Sequence, residues 1–237
     1  MAYRGTRYHG FQRQINAITV QEIFENALEE ILNHKTTLYG CSRTDTGVHA
    51  LQFYANFHTE STIPLQGFIR GMNKLLPYDI SVLSCEEAPE DFHARFSCKG
   101  KAYLYKIHNH ESKDPFTEDL SLHYRRPLDT DLLAKAGRAF IGTHDFKAFC
   151  STGSNKENTV RTIYDFTVTR TGDEVELLVK GDGFLYNMVR IMVGTLLFIN
   201  EGKIPADALE EIIRTGDRKA AGKTAQARGL YLYKVYY

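Results

Sequence analysis

Asp45 is the residue of this sequence best suited to chemistry by its type and its surroundings. It lies in Gly40-Cys41-Ser42-Arg43-Thr44-Asp45-Thr46-Gly47-Val48-His49-Ala50, which brings an arginine, an aspartate and a histidine close together between apolar neighbours. A carboxylate displayed on a loop can serve as a nucleophile or as a general acid or base. Gly47 supplies the backbone freedom that a tight loop demands. A short strand is expected before the loop, from Thr36 to Gly40. After it, Leu51, Phe53, Ala55 and Phe57 alternate with Gln52, Tyr54, Asn56 and His58. That period of two predicts a strand from Leu51 to His58 with one buried face. A loop between two strands is where a scaffold presents reactive groups.

The second candidate is Arg190. Met188, Val189, Ile191, Met192, Val193, Leu196 and Leu197 leave almost no solvent face on a helix expected over Phe184 to Ile199. Asn187, Arg190 and Gly194 fall on one narrow line of that helix. A guanidinium cannot deprotonate, and its burial without a partner is costly. Asp45 is the obvious acceptor; pairing with another acid, or snorkelling to the surface, satisfies the same spacing.

Tyr103 follows Phe92-His93-Ala94-Arg95-Phe96-Ser97 and stands among Lys99, Lys101 and Tyr105. Cations interleaved with rings suit RNA, where phosphates need charge and unpaired bases need a stacking surface. An ordinary half-buried strand has the same pattern. His49, His93 and His144 are scattered, without an HxxxH pair, and structural hydrogen bonding suits them better than catalysis or metal binding. The chain has no Gly-rich phosphate loop and no G-x-S-x-G elbow.

The elements that must position these residues read as α+β. Thr19-Val20-Gln21-Glu22 is a capping box, and Val20, Ile23, Phe24, Ala27, Leu28, Ile31 and Leu32 follow at helical spacing. Tyr3 to Tyr8 reads as the end of a strand. Pro64 opens a second helix, Pro77 stops it, and Ile80 to Ser84 is a strand. This order, β-α-β-β-α-β, is the ferredoxin-like unit. The second half repeats it: a strand from Lys101 to His108, a helix capped by Asp129, and a hairpin of Val160–Arg170 with Glu174–Lys180 about Thr171-Gly172-Asp173. The apolar helix from Phe184, a short helix from Pro205 and a strand from Leu230 to Tyr237 complete it. Two tandem halves are expected, residues 1–92 with the loop at 40–50 and residues 93–237. They share one mixed or antiparallel sheet with helices packed on one face.

Composition narrows the class further. Twenty-nine basic residues balance 29 acidic ones, so overall charge does not favour a nucleic-acid partner. Segregation restores the possibility. Residues 1–21 hold Arg4, Arg7 and Arg13 without an acid, and residues 92–110 hold Arg95, Lys99, Lys101 and Lys106 without one. Cys41, Cys85, Cys98 and Cys150 lie far apart with no CxxC pair, which suggests neither zinc nor a disulfide frame and fits a cytosol. No apolar run approaches bilayer length, and the first residues lack a signal-peptide pattern, so a cytoplasmic protein is expected.

The central loop resembles the catalytic loop of the tRNA pseudouridine synthase A family, and other blocks agree in family order. These are Tyr3 to Gln14, Phe92-His93-Ala94-Arg95-Phe96-Ser97 through Tyr103, His144-Asp145-Phe146, Phe184 through Arg190, and Ala227-Arg228-Gly229-Leu230-Tyr231-Leu232. The resemblance implies two ferredoxin-like halves joined in one sheet. It also implies an isomerase that converts uridine to pseudouridine in the anticodon stem-loop of tRNA, at positions 38–40, without metal or cofactor. By the same resemblance Asp45 is the nucleophile, Tyr103 lies against the target uracil, and Arg43 helps take the nucleotide out of the stack. Arg190 pairs with the aspartate, Leu230 packs at the pocket, and the enzyme is a homodimer with no DNA or membrane partner. Ser42 stands where the family usually has glycine, Thr46 where it has alanine, Arg4 where it has aspartate and Gln226 where proline is common. The first strand begins at Met1-Ala2-Tyr3, shorter than family practice, which costs ladder bonds. These departures mark a divergent member or second copy. A catalytically silent tRNA-binding homologue is the alternative, keeping Tyr103 and the basic segments but needing no Asp45–Arg190 pair.

Overall fold

The computed structural model describes residues 1–151 and 158–237. Its contacts divide the chain into two units, Met1–Lys99 with Tyr231–Tyr237, and Gly100–Leu230. The change from one unit to the other falls several residues after the expected boundary at 92/93. The chain's closing residues belong with the first unit, because Tyr231 and Leu232 pair in parallel with His49 and Ala50.

In the first unit, strand β1 (Ala2–Tyr3) is followed by helix α1 (Val20–Leu32). Thr19 caps that helix as its spacing predicts, its Oγ1 accepting from Glu22 N at 3.3 Å. Val20, Phe24, Ala27 and Leu28 are its buried face. Strands β2 (Tyr39–Gly40), β3 (His49–Ala50) and β4 (Ala55–Asn56) come next, then helix α2 (Leu65–Leu75) and strand β5 (Ile80–Ser81). β1 lies between β5 and β3, antiparallel to both. β2 and β4 form a separate antiparallel pair, and α1 packs on α2.

Two expectations fail here for local reasons. β1 ends at Tyr3 rather than near Tyr8, and Gly5–Arg7 is a 3-10 turn. Gly5 runs so close to Val48 that a Cβ would stand 1.9 Å from Val48 O, and its N–H goes to His49 Nδ1 at 3.0 Å. The alternating stretch from Leu51 to His58 is not one strand. Leu51 N and Gln52 N both reach Leu232 O, at 2.9 and 3.5 Å, the two-against-one arrangement of a bulge. Beyond it the chain leaves one sheet and pairs in another as β4.

In the second unit, strand β6 (Gly100–His108) carries strand β7 (Leu122–His123) on one side and strand β10 (Glu174–Gly181) on the other. β10 pairs with strand β9 (Val160–Thr171), and β9 with strand β8 (Gly142–Asp145). Gly172, with φ +58°, makes the turn of the β9–β10 hairpin. Helix α3 (Thr130–Gly137) is capped by Asp129 Oδ1, which accepts from Leu132 N at 2.9 Å, and packs on β9 and on helix α4 (Met188–Asn200). A short helix α5 (Ala208–Thr215) follows. α4 starts four residues later than expected because Asn187 sits in the left-handed region at φ +59°, outside the helix. Each unit is thus strands covered by helices, the α+β class expected.

Candidate functional site

The segment bearing Asp45 is held from three directions within the first unit. Cys41, wholly buried, donates its N–H to Tyr54 O at 2.9 Å. Phe11 N reaches Thr44 O at 3.2 Å, and Gly47 N reaches Tyr8 O at 3.2 Å. The Thr44 hydroxyl meets that of Tyr3 at 2.8 Å. Val48 N closes the turn onto Asp45 O at 3.1 Å. Gly47 adopts φ +77°, and the loop geometry depends on it. Gly10 is the second requirement: at φ +83° its Cβ would lie 2.4 Å from Thr44 O. The result is a carboxylate, partly buried, on a loop whose backbone is tied down at both ends. Arg43, two residues away, is exposed and has no hydrogen-bonded or ionic partner among the described residues.

His49 is fully buried, accepts from Gly5 N and stacks on Tyr231 at 4.6 Å, so it acts as a structural strut. His144 Nε2 is 3.0 Å from Ile141 O, and His93 Nδ1 accepts from Arg95 N at 3.1 Å. Among the described residues no three His, Cys, Asp or Glu side chains are grouped to hold a metal ion.

The second unit holds Tyr103, Arg190 and Leu230. Tyr103 lies mid-strand in β6, opposite Val179, and is 8% exposed. The Phe184 ring meets it edge-on at 5.0 Å. Arg190 is held by neighbours in its own unit. Its Nη1 donates to Asn187 Oδ1 at 2.6 Å and its Nε to Ala225 O at 2.8 Å. Asn187 Nδ2 in turn donates to Ser151 Oγ at 2.9 Å. The i, i+3 spacing of Asn187 and Arg190 therefore marks a real contact, with Asn187 holding the guanidinium from just before the helix. Gly194, further along that line, lets the 222–225 segment approach: a Cβ there would lie 1.6 Å from Lys223 O. Ala225 N closes the contact onto Arg190 O at 3.0 Å.

Leu230 is buried at the end of the 3-10 turn Ala227–Gly229. Tyr105 braces that turn by donating its hydroxyl to Gln226 O at 2.7 Å. Burial pushes the Tyr105 pKa up, against the pull of Arg190 and Arg228, so the hydroxyl stays a donor.

The basic segments are less free than their charges suggest. Lys106 is taken by Glu174 at 3.0 Å and Glu176 at 2.9 Å. Arg13 pairs with Glu25 at 3.4 Å and Arg7 with Asp79 at 3.5 Å. Arg95 and Lys99 are exposed. No helix among the described residues is long and apolar enough to cross a membrane.

Comparison with known proteins agrees with this arrangement of motifs. The family described as tRNA pseudouridine synthase matches residues 1–97 and 136–237. The tRNA pseudouridine synthase A of Acetivibrio thermocellus is 47% identical over 235 residues, covering 99% of this chain and 96% of its own. That of Thermoanaerobacter sp. (strain X514) is 44% identical over the same length and coverage. The tRNA pseudouridine synthase A 2 of Clostridium tetani is 45% identical over 237 residues, covering 99% of this chain and 96% of its own. With motifs, loop and sequence in agreement across nearly its whole length, this chain belongs to the tRNA pseudouridine synthase family.

Proposed function

We propose that this protein isomerises uridine to pseudouridine in the anticodon stem-loop of tRNA, at positions 38–40, with Asp45 as the nucleophile. The reaction breaks the C1′–N1 glycosidic bond, turns the freed uracil and joins C1′ to C5. One proton leaves C5 and one is gained at N1, so no atom or electron is gained or lost overall. Such chemistry asks for a positioned carboxylate, a stacking ring and a means of taking the uridine out of its stem. The observation that carries the reading is the tethering of the Asp45 loop through Cys41, Thr44 and Gly47, which holds one carboxylate in a defined place.

Tyr103 is proposed as the ring against the uracil, Arg43 as the group that helps extrude the nucleotide, and Leu230 as an apolar wall. The exposure and freedom of Arg43 support its assignment. Arg190 is proposed as the guanidinium that keeps the nucleophile ionised; its tethers to Asn187 and Ala225 support a fixed rather than a wandering charge. A homodimer working in the cytoplasm completes the reading.

The test is incubation of the purified protein with unmodified tRNA transcripts, followed by mapping of pseudouridine. Modification is expected in the anticodon arm and is expected to vanish in Asp45→Asn and Asp45→Ala. Undiminished modification by those variants removes Asp45 from the reaction, and RNA binding without modification by the wild type identifies a silent binding homologue.

A further inference from the structure

The first unit displays a row of rings that none of the roles above uses. Phe96 is 76% exposed and Tyr39 is 41% exposed. His93 lies between them, its ring centroid 4.3 Å from that of Phe96 and 5.3 Å from that of Tyr39. The Arg95 guanidinium carbon is 5.6 Å from the centre of the Phe96 ring.

The exposure is not that of a loose loop. Ala94 is wholly buried, its N–H donated to Asn56 Oδ1 at 2.8 Å and its carbonyl accepting from Tyr237 Oη at 2.7 Å. Ser97 N bonds His93 O at 2.9 Å, Ser97 Oγ accepts from His93 N at 3.1 Å, and His93 Nδ1 accepts from Arg95 N at 3.1 Å. The turn is thus pinned to the fold while Phe96 is held out in water, where its apolar surface contributes nothing to stability. Tyr39 immediately precedes Gly40, so the row begins at the root of the loop that carries Asp45. Residues 92–99 add Arg95 and Lys99 without an acid, although Glu90 and Asp91 stand just before them.

We propose that Tyr39, His93 and Phe96 form a stacking platform for an unpaired RNA base other than the uridine that reacts, with Arg95 and Lys99 meeting its phosphates. The platform rests on the reading of this chain as a tRNA-modifying enzyme. Rings flanked by cations grip a base by its face and are tolerant of its identity. A protein partner of the same surface would have to bury Arg95 beside Phe96, whereas a phosphate can meet that exposed guanidinium beside the ring.

Binding of an anticodon stem-loop transcript, followed by fluorescence anisotropy, tests it in wild type, Phe96→Ala, Phe96→Leu and Phe96→Trp. Sedimentation velocity on each variant runs alongside. The ring is on the surface, so all four chains should fold alike. Loss of one stacked base weakens binding roughly 5- to 150-fold in Phe96→Ala. Phe96→Leu is expected to be equally weak, because it lacks a π face, and Phe96→Trp to bind as wild type does. Unchanged affinity in Phe96→Ala overturns the platform, and so does full rescue by leucine. A changed sedimentation coefficient assigns the surface to contact between copies instead. If the wild type modifies tRNA and Phe96→Ala binds normally, only the platform fails. If the wild type neither binds nor modifies tRNA, the functional reading fails and the platform with it.

Discussion

The hydroxyls of Tyr3 and Thr44 lie 2.8 Å apart, and both residues are buried, so the first strand reaches directly into the loop that bears Asp45. Tyr3→Phe keeps the ring and removes this bond, leaving the Thr44 hydroxyl one partner short. The cost is expected to be about 1–3 kcal/mol of stability. Turnover should fall further than RNA affinity, because the loop loses a tether while the binding surface is untouched. Thermal unfolding and single-turnover rates separate the two effects.

Asn187 combines a left-handed backbone, at φ +59°, with a side chain that holds Arg190. Asn187→Gly keeps the backbone comfortable and deletes the tether; Asn187→Ala deletes the tether and adds strain. The alanine variant should therefore be less stable than the glycine variant by about 1 kcal/mol. Both should lose turnover to a similar degree if the tether is what matters. Denaturant unfolding beside initial rates gives the comparison.

Gly194 is the position on α4 least able to accept a side chain. With Lys223 O only 1.6 Å from where its Cβ would be, Gly194→Ala must push the 222–225 segment off the helix. A loss of about 3 kcal/mol is expected from such overpacking. Ala225 carries a carbonyl to Arg190, so activity should fall even at temperatures where the variant is folded. Circular dichroism melting with activity measured well below the midpoint checks both parts.

Glu201 gives the fold an acid limb. Lys203 first, then Arg126, hold its carboxyl below the usual carboxylate range despite the opposing effect of burial. A carboxylate whose pKa is lower folded than unfolded stabilises the protein above its unfolded pKa, about 4.5. That contribution is lost as pH falls below this value and through the folded pKa. Glu201→Gln should remove this part of the acid sensitivity, so the wild type's stability should fall more steeply than the variant's below about pH 4.5. Urea midpoints measured from pH 3 to pH 7 check it.

Much of this architecture could be read from residue pattern, where the deciding interactions are local. Thr19 with Glu22, Pro64 and Pro77 around the second helix, and Asp129 before the third are short-range signals, and each element formed where they point. Leu51 to His58 misled because alternation reports which side chains are buried, not which sheet buries them. β7 and β8 were invisible. Leu122–His123 is too short for a pattern, and Gly142–Asp145 is a polar edge strand. At the site, Arg190 and its line with Asn187 are legible because the two stand three residues apart, although Asn187 lies just outside α4. The carbonyl of Ala225 was not, since a main-chain acceptor 35 residues away leaves no trace in side-chain spacing. The turn at Asn187 that delays α4 was missed because asparagine is only one of several residues that tolerate a left-handed backbone.

The parallel pairing of Tyr231 and Leu232 with His49 and Ala50 also has a bearing on synthesis. The strand leading out of the Asp45 loop pairs with β1 early but acquires its second neighbour only from residues made roughly 180 positions later. While the chain is still on the ribosome, Met1–Lys99 can build its helices but must wait with an open sheet edge. Until those residues are made, a nascent chain exposes that edge to chaperones, or to other nascent chains.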